Sequence, residues 1–591
     1  MYARDLKAPS NHSLLGHSSF GRLAFGHLGA CICLYLAVIV AGLATNPFFD
    51  MGVNDDWSYS RTAMDLARTG HIHYFGWSAS AMLAQLPYGA LWIKLFGGSF
   101  ATLRVATLAL SGLIPVLTYW LGLECSLERR MAFFGAMTVG LSPLFIPHSV
   151  SFMSDSYACL FFLASMLLAM KSIVHRPPVP AAALYALAML SSLLGGATRQ
   201  VFWVTAPVIA AAYCFFRRGK SFEKVWGGGV LVAYIACCVF ILHWLRQQPN
   251  FLYENLNLQM LALSRQGLMN VIHQYGGLIL TALVFAIPSL VPAARLRLPA
   301  LDVACAVLVA GVVFAATFWL RALIFPYLNN VVTQYGLYQP GLLLPGALPV
   351  ILPATFCRAI TAAVAGLLFL LFSHGRAPAA SGVDDAPVTG PTEDSSVHSP
   401  RAGTGTAILF LWTGSTMAYL FAFIGRAKAA DLFDRYAMPF LPLLILGILI
   451  VLQRNGVPDP GRAAWAMVLL FGVYGVAITH DHFEQMRTQR LALNLLKDAR
   501  IPRENIVGGM EDDMWTQVDL DGRLIATPDA SGADLPVYLH PGYLKLTPRI
   551  KPHYLISTSN LPGAAGCKFE PLVYSTWLFP RDRELFVLCL P

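Results

Sequence analysis

Two adjacent carboxylates are the first residues of the chain whose types suit chemistry. Asp55 and Asp56 come shortly after an apolar stretch that ends at Ala44. Neighbouring carboxylates repel each other, so one of them can be held less acidic and serve as a general base, or both can face a cation. Aspartate is also a good N-cap, and a helix is predicted from Tyr59 onward. The residue types alone leave both interpretations open.

A loop between two later apolar stretches carries mostly the opposite charge. Its candidate site residues are three basic residues, one of its two acids and a tyrosine: Arg426, Lys428, Asp434, Arg435 and Tyr436. Cations at a membrane interface suit a phosphate, because arginine offers a bidentate fork and lysine a point charge. A merely solvated loop is the alternative. Arg199, in a short turn between two further apolar stretches, can join this phosphate-binding group.

Two further motifs have weaker signals. Asp155 opens an apolar stretch directly after Ser154, where it either caps a helix or supplies a second carboxylate to a shared site. The short histidine clusters at residues 71–73 and 480–482 have no third metal ligand nearby in sequence, so no metal ligand set is predicted. A divalent cation stays open as a cofactor.

The elements that must position these residues are membrane helices. Of 591 residues, 56% are hydrophobic and 12% are charged, against about 25% charged in an ordinary soluble domain. Apolar runs of about 17 to 23 residues, the length that crosses a bilayer, recur along the chain. We predict an α-helical polytopic membrane protein with about 13 spans, of which the first is a retained span and not a signal peptide.

Lysine and arginine alternate between the loops in a way that orients the protein. Cytoplasmic loops collect these residues, and one set of alternate loops holds Arg4, Lys7, Arg22, Arg129, Arg130, Lys171, Arg176, Arg217, Arg218, Lys220, Lys224, Arg295 and Arg297. The N-terminus is therefore predicted to be cytoplasmic, and the acidic pair, Asp155, Arg199 and the basic loop to face outward. The net charge of +9 then needs no nucleic-acid partner.

The chain divides into two predicted domains. Residues 1–480 form a transmembrane domain with an outer loop, 46–99, that carries interfacial helices, and with a disordered cytoplasmic linker at 377–405. Residues 481–591 form a small extracytoplasmic α/β domain with short strands near 505–508, 554–557 and 584–588. Cys567 and Cys589 lie in this domain, in a compartment that permits disulfides, and are predicted to be paired. A nucleotide-binding glycine motif is absent from the sequence.

In their order and membrane side, these motifs resemble the membrane-embedded GT-C glycosyltransferases, in particular the bacterial branch that is similar to protein O-mannosyltransferases and aminoarabinose transferases. The matching pieces are Asn54-Asp55-Asp56, Tyr59-x-x-x-Ala63-x-x-Leu66-x-x-x-Gly70, Leu95-Phe96-Gly97-x-Ser99 to Arg104, Leu141-Ser142-Pro143 to Ser154-Asp155, and Asp434-Arg435-Tyr436-x-x-Pro439. The segment Ile506-x-Gly508-Gly509-Met510-Glu511 also looks like the soluble cap of some bacterial members.

The resemblance implies roles for several of these residues. The family's acidic residue in the first outer loop is a catalytic base or a metal contact, which corresponds to Asp55, with Asp56 second. Asp155 corresponds to the second acidic position. Arg199 stands where the family usually has lysine, a change that keeps the charge. The donor would be a sugar on a polyprenyl phosphate, and the basic groups would neutralise the leaving phosphate.

The expected function is therefore glycosyl transfer at the outer face of the cytoplasmic (inner) membrane. Asp55 would deprotonate the acceptor in an inverting single displacement, and the acceptor would be an envelope lipid, glycan or protein. A transporter or flippase of polyprenyl-linked glycans is the alternative, although only Arg358 is placed well within a span, whereas ion-coupled transporters commonly use midplane charges. A non-catalytic scaffold is the third hypothesis. The sequence identifies neither sugar nor acceptor.

Overall fold

Helices make up most of the chain in the computed structural model, which describes residues 16–174, 177–217, 221–253, 264–296, 298–320, 324–341, 343–374, 402–525, 545–561 and 565–590. The helices are α1 (Gly16–Ala44), α2 (Asp56–Thr69), α3 (Gln85–Phe96), α4 (Phe100–Ser111), α5 (Leu113–Glu124), α6 (Arg129–Gly140), α7 (Phe145–Ser149), α8 (Ser154–Val174), α9 (Pro178–Thr198), α10 (Thr205–Phe216), α11 (Ser221–Gln247), α12 (Arg265–Phe285), α13 (Ile287–Leu290), α14 (Ala300–Ala316), α15 (Ala354–His374), α16 (Ala402–Ala422), α17 (Ile424–Lys428), α18 (Leu441–Arg454), α19 (Gly461–Asp498) and α20 (Met510–Asp521).

The strands are few and short. They are β1 (Val332–Thr333), β2 (Gly336–Leu337), β3 (Ile506–Val507), β4 (Tyr554–Ser557), β5 (Ala565–Gly566), β6 (Leu572–Ser575) and β7 (Asp582–Cys589). The first two form a small antiparallel pair in the loop between α14 and α15. The other five belong to the C-terminal region.

Nine helical segments in the described ranges are long and apolar enough to cross a membrane: Gly26–Ala44, Phe100–Glu124, Ser154–Val174, Pro178–Thr198, Phe222–Gln247, Arg265–Phe285, Ala354–Ser373, Gly405–Ala422 and Gly461–Asp498. Large apolar side chains on their outer faces are exposed, for example Val225, Val239 and Phe240 on α11. Such side chains need lipid as their solvent, because water would make this surface costly. The predicted class, a polytopic helical membrane protein, is confirmed.

The predicted count of 13 spans is not confirmed. Around residue 139 the apolar stretch forms only α6, a helix of 12 residues. At 1.5 Å per residue this helix is about 18 Å long, too short to cross a hydrocarbon core of about 30 Å. The stretches near residues 208, 313 and 445 likewise form shorter apolar helices. Hydropathy marks apolar runs but does not show where a turn such as Leu141–Leu144 ends a helix.

The outer loop 46–99 contains both predicted helices. On α2, Tyr59 and Ala63 are buried, which agrees with the spacing of its apolar residues. On α3, Leu91, Leu95 and Phe96 are exposed, as expected for a helix that lies at the membrane surface. The loop therefore has one helix with a buried face and one helix with an exposed apolar face.

The C-terminal region holds the predicted α/β domain. Its strands follow the order β3-β4-β7-β5, with β6 also paired to β7. The β3–β4 pair is parallel, and β7 runs antiparallel to β4 with Leu555 opposite Leu588. Cys567 and Cys589 are joined by a disulfide with a Cα–Cα distance of 5.2 Å. This bridge closes a 22-residue separation, for which the chain-entropy model gives about 3 kcal/mol of stabilisation.

The predicted domain boundary and the predicted linker can be compared with the helices of the structure. Residues 480 and 481, the predicted domain boundary, lie inside α19, which continues without a break for 38 residues from the membrane segment into the C-terminal region. Of the predicted linker 377–405, residues 377–401 lie outside the described residues, and residues 402–405 belong to the first turn of α16. A continuous helix links the two domains.

Candidate active site

Asp55 makes side-chain contacts that separate the two interpretations of the acidic pair. It occupies the N-cap position of α2, yet its side chain makes no capping hydrogen bond. Its Oδ2 accepts a hydrogen bond from Nη1 of Arg435 at 3.0 Å, and its Oδ1 accepts one from Nε1 of Trp77 at 3.0 Å. The side chains of Asp55 and Arg435 are 14% and 10% exposed. The carboxylate therefore faces an arginine and not the helix end.

Asp56 points the other way and stabilises the loop. It is fully buried, and it accepts hydrogen bonds from the backbone N–H of Val53 at 2.5 Å and from the hydroxyl of Ser151 at 3.2 Å. Burial raises its pKa to about 6, although the nearby charge of Arg104 works in the opposite direction. These contacts fix the turn that carries Asp55, whereas the predicted catalytic part of Asp56 stays a prediction.

A second ion pair lies beside the first. Arg199 follows the last residue of α9, and its Nη1 donates a short hydrogen bond to Oδ1 of Asp155 at the start of α8. The guanidinium carbon of Arg199 lies 4.9 Å from the ring centroid of Tyr436, and that of Arg435 lies 5.8 Å from the same centroid. The two pairs thus meet at one aromatic ring, which itself stacks on Phe423.

The charges of this group are coupled. Burial opposes the charged form of Arg435, but the carboxylates of Asp55 and Asp155 outweigh burial and raise its pKa well above the usual value. Buried ions need partners of this kind, because an unpaired charge is strongly destabilising in such a site. Oδ2 of Asp155 and Nε of Arg435 are buried without a hydrogen-bond partner in the described part of the chain. These two atoms are therefore available for hydrogen bonds to a substrate.

Two predicted basic residues lie elsewhere in their loop. Arg426 pairs with Asp431 at 2.9 Å within the loop itself, in a half-exposed setting. The carbonyl oxygen of Lys428 accepts a hydrogen bond from the side chain of Asn270 on α12 at 2.8 Å. Of the three cations predicted for this loop, Arg435 is the one whose described contacts include Asp55. A part for Arg426 and Lys428 in phosphate binding stays a prediction.

The described hydrogen bonds of the Asp434 carboxylate come from backbone N–H groups. It is buried, and its oxygens accept hydrogen bonds from the backbone N–H groups of Val331, Val332 and Arg435 at 2.8–3.0 Å. Burial raises its pKa to about 7. These contacts tie the β1 region to the turn that presents Arg435 and Tyr436. The predicted part of Asp434 in substrate binding stays a prediction.

Two residues of this region were given no role from the sequence, although Arg104 ends one of the matching motifs. Trp77, in the loop 46–99, donates a hydrogen bond to Asp55. The sequence signal for it was a tryptophan in a loop that already carried the acidic pair. Arg104 on α4 is fully buried and donates to the carbonyl oxygens of Phe49 and Met51. An arginine among apolar residues near the end of a span was the signal for this contact. Arg104 thus anchors the segment that leads to Asp55.

The histidine clusters have other partners. His73 pairs with Asp65 on α2. His480 stacks on Trp577 with 4.2 Å between ring centroids. Across the described ranges, no group of three or more His, Cys, Asp or Glu residues is arranged to hold a metal ion. A divalent cation therefore stays a prediction.

Comparison with known proteins reveals distant structural likeness only. No protein-family model matches the chain, and no curated protein matches it. ArnT from Cupriavidus metallidurans in the apo state is 13% identical over 94% of this chain and 97% of ArnT, with a TM-score of 0.37. The same protein bound to undecaprenyl phosphate gives 15%, the same coverage and 0.37.

An archaeal protein shows a likeness of the same order. The oligosaccharyltransferase AglB from Archaeoglobus fulgidus, in complex with an inhibitory peptide and a dolichol-phosphate, is 15% identical over 92% of this chain and 62% of AglB, with a TM-score of 0.40. Because the likeness is distant, the function proposed below rests on the contacts of the site.

Proposed function

We propose that the protein is a GT-C-type membrane glycosyltransferase that transfers a sugar from a polyprenyl-phosphate donor to a cell-envelope acceptor. The observation that carries this proposal is the ion pair between Asp55 and Arg435, which lies beside the pair of Asp155 and Arg199. A base and two guanidinium groups are thereby gathered at one end of the helix bundle. Acceptor activation and stabilisation of a leaving phosphate need these groups together.

The position of the site in the bundle suits a lipid-linked donor. Asp155 is the second residue of α8 and Arg199 follows the last residue of α9, so both lie at ends of apolar helices, and Asp55 lies in the loop that follows α1. A prenyl chain can remain in the bilayer while its phosphate contacts the arginines. Guanidinium groups bind phosphate oxygens through paired N–H donors, and the shared ring of Tyr436 keeps the two cations in the same region.

The proposed reaction is a single displacement that inverts the anomeric carbon. An oxygen or nitrogen of the acceptor bonds to the anomeric carbon, its proton passes to Asp55, and the bond from that carbon to the phosphate oxygen breaks. Trp77 and Arg435 each hold one oxygen of Asp55, and each carboxylate oxygen retains a further lone pair that can accept the proton. Arg435 and Arg199 stabilise the charge that develops on the phosphate.

Basic residues at the opposite ends of the same helices support an outward-facing site. Lys171, near the end of α8, pairs with Glu124 at 3.1 Å, and Arg217, after α10, pairs with Glu223 at 2.5 Å. Because cytoplasmic loops collect such residues, we place this end and the N-terminus in the cytoplasm. The site and the C-terminal domain then face the outside of the cytoplasmic (inner) membrane.

Transfer by the purified protein in lipid vesicles tests the proposal. Radiolabelled hexosyl- and pentosyl-polyprenyl phosphates are supplied with envelope lipid, glycan and protein acceptors, and label in each acceptor fraction is counted. We expect transfer by the wild type, with inverted configuration in the product. Asp65→Asn, on the same helix as Asp56 but paired with His73 and Arg68, serves as the matched control and should stay active. Movement of intact lipid-linked glycan across the vesicle without any transfer would instead identify a flippase.

A further inference from the structure

A carboxyl group from the C-terminal domain reaches the loop that carries Asp55. Oε1 of Glu511, on the first turn of α20, accepts a hydrogen bond from the backbone N–H of Asn54 at 2.8 Å, across 457 positions in sequence. Glu511 is only 2% exposed. Its other oxygen, Oε2, is buried without a hydrogen-bond partner in the described part of the chain. This side chain takes no part in the proton transfer or bond formation proposed for Asp55.

The backbone that Glu511 holds has an uncommon conformation. Asn54 has a φ of +53° and is buried, in a left-handed region that few residues other than glycine adopt and that asparagine enters more readily than most. Such a conformation persists where the surroundings determine it. Asp56 accepts the N–H of Val53, and Glu511 accepts the N–H of Asn54. Two successive amides before Asp55 are thus held by carboxyl groups from different domains.

The start of α20 is built to bring Glu511 to this turn. Gly509 has a φ of +108°, and a Cβ atom there would lie 2.5 Å from Nε2 of Gln489, so glycine is required. The N–H of Met510 donates to the carbonyl oxygen of Leu343 at 2.8 Å. The N–H of Gly508 donates to Asp513 at 2.8 Å. The segment before Glu511 is therefore fixed against both α19 and the loop between α14 and α15.

Further contacts fix α20 against the outer loop. Arg61 on α2 pairs with Asp519 at 2.7 Å, and its guanidinium carbon lies 4.7 Å from the ring centroid of Trp515. Trp515 also packs against Phe100, with 5.5 Å between ring centroids. A charged pair and an aromatic pair thus hold the helix at two further points. Glu511 is not at the end of a loosely attached domain.

The raised pKa of the Glu511 carboxyl favours its neutral form, which can lie near other acids. Burial raises its pKa to about 8, and the charges of Asp56 and Asp55 act in the same direction. A protonated carboxyl adds no negative charge beside Asp55. It still offers Oε1 as an acceptor to the N–H of Asn54. Glutamine shares these two properties, which makes Glu511→Gln an informative variant.

We propose that Glu511 is a positioning residue for the transfer reaction, supplied by the C-terminal domain to hold the Asn54 turn and thereby to direct Asp55 at Arg435 and the acceptor. This inference rests on the proposed function and deepens it. The C-terminal domain then completes the active site, because the membrane domain contains one of the two carboxyl groups that hold the turn. An ordinary contact between domains is the competing explanation.

The experiment compares Glu511→Ala, Glu511→Gln and wild type in the full-length protein in vesicles. Glu570→Ala, at an exposed position of the same domain, is the matched control. Transfer kinetics are measured with the labelled polyprenyl-phosphate sugars, and hydrogen exchange is followed in the peptide around Asn54. We expect Glu511→Ala to lower kcat about 10- to 100-fold with KM for the donor nearly unchanged, since small displacements of a catalytic group have costs of this order.

The glutamine variant separates positioning from a general structural role. Glu511→Gln should keep most of the wild-type kcat and the slow exchange of Asn54, whereas Glu511→Ala should speed exchange there while both variants retain the wild-type melting temperature within a few degrees. Wild-type kcat and exchange in Glu511→Ala would overturn the inference. So would equal loss in both variants with unchanged exchange, which would indicate chemistry by the carboxyl itself.

The two readouts also keep the inference distinct from the proposed function. If the wild type transfers sugar and Asp55→Asn does not, but Glu511→Ala is fully active, the function stands and the inference fails. If the wild type transfers no sugar from any donor, the proposed function fails. Exchange at Asn54 then decides by itself whether Glu511 holds the turn.

Discussion

The acidic loop after α1 and the basic loop before α18 are built on the same plan from residues of opposite charge. In the first, Asp55 faces the site while its neighbour Asp56 accepts the backbone N–H of Val53. In the second, Arg435 faces the site while its neighbour Asp434 accepts the N–H groups of Val331 and Val332. In each loop one residue forms the ion pair between the loops, and the adjacent acid accepts hydrogen bonds from backbone N–H groups.

The two loops differ in what the holding acid secures. Asp56 acts mainly within its own loop, with Ser151 as its distant partner, and the same turn receives a second carboxyl from the C-terminal domain. Asp434 instead ties its loop to a different segment, the β1 region. The acidic loop therefore depends on the C-terminal domain for its shape, whereas the basic loop depends on the membrane domain itself. Adjacent residues of the same type must accordingly be tested separately.

The largest expected effect separates Asp55 from Asp56. Asp55→Asn should lower kcat about 100- to 10,000-fold, because it removes a general base worth roughly 10²–10⁴ in rate. Its melting temperature should fall less than that of Asp56→Asn, because Arg435 keeps the nearby charge of Asp155. Asp56→Asn should instead lower the melting temperature, because a buried backbone donor loses part of its partner, at a cost of about 1–3 kcal/mol. Transfer assays and thermal unfolding of both variants measure this difference. Equal loss of kcat at equal stability would make the pair act as one catalytic unit.

The next effect compares the cations of the basic loop. Arg435→Ala should weaken binding of the polyprenyl-phosphate donor by about 2–5 kcal/mol, the range for removing one partner of a buried charge pair. Arg426→Ala should cost less than about 1 kcal/mol, because Arg426 is part of a half-exposed pair with Asp431. Donor affinity is measured by titrating polyprenyl phosphate into each variant. A larger loss in Arg426→Ala than in Arg435→Ala would reassign the phosphate contact.

A pH measurement tests the dependence of the acidic loop on the C-terminal domain. The pKa of Glu511 is about 8 in the folded protein against 4.5 for a free glutamate, so between these values unfolding releases a proton. Folding is then favoured fully below pH 4.5 and progressively less up to about pH 8. The wild type should therefore lose about 3–4 kcal/mol relative to Glu511→Gln between pH 5 and pH 8.

Thermal unfolding at a series of pH values measures this difference. The neighbouring acids Asp55 and Asp56 are present in both proteins, so the comparison isolates Glu511. Parallel pH curves for the wild type and Glu511→Gln would mean that Glu511 is ionised in the folded state, and its place beside two other acids would then need a cation.

Much of the architecture was predictable because it depends on local patterns. Apolar length gave the membrane class, apolar spacing gave α2, and alternating strand-like runs gave β4 and β7. The paired Cys567 and Cys589 also followed from composition and compartment. The span count was not predictable, since the helix around residue 139 is ended by a turn that hydropathy does not register. Local signals predict elements better than their ends.

The site was predictable in its members but not in its pairings. Asp55 and Arg435 were both identified from residue type and membrane side, yet 380 positions separate them, and only the packing of the bundle brings them together. Arg426 and Arg435 look alike in sequence, but their loop directs them to different partners. The sequence identifies Glu511 only as part of a segment that resembles the soluble domain of some family members, because no local pattern connects it to Asn54. Contacts between distant segments need the folded chain.

The smallest expected effect concerns Asp434, the holding acid of the basic loop. Asp434→Asn keeps one acceptor oxygen but puts an amide group where the second oxygen accepts backbone N–H groups, so we expect a loss of about 1–2 kcal/mol in stability. Donor affinity should fall only modestly, because Arg435 itself is intact. Melting temperature and polyprenyl-phosphate binding are measured on the same preparation. A loss of donor binding as large as that of Arg435→Ala, at wild-type stability, would give Asp434 a direct contact with the substrate and end the parallel between the two loops.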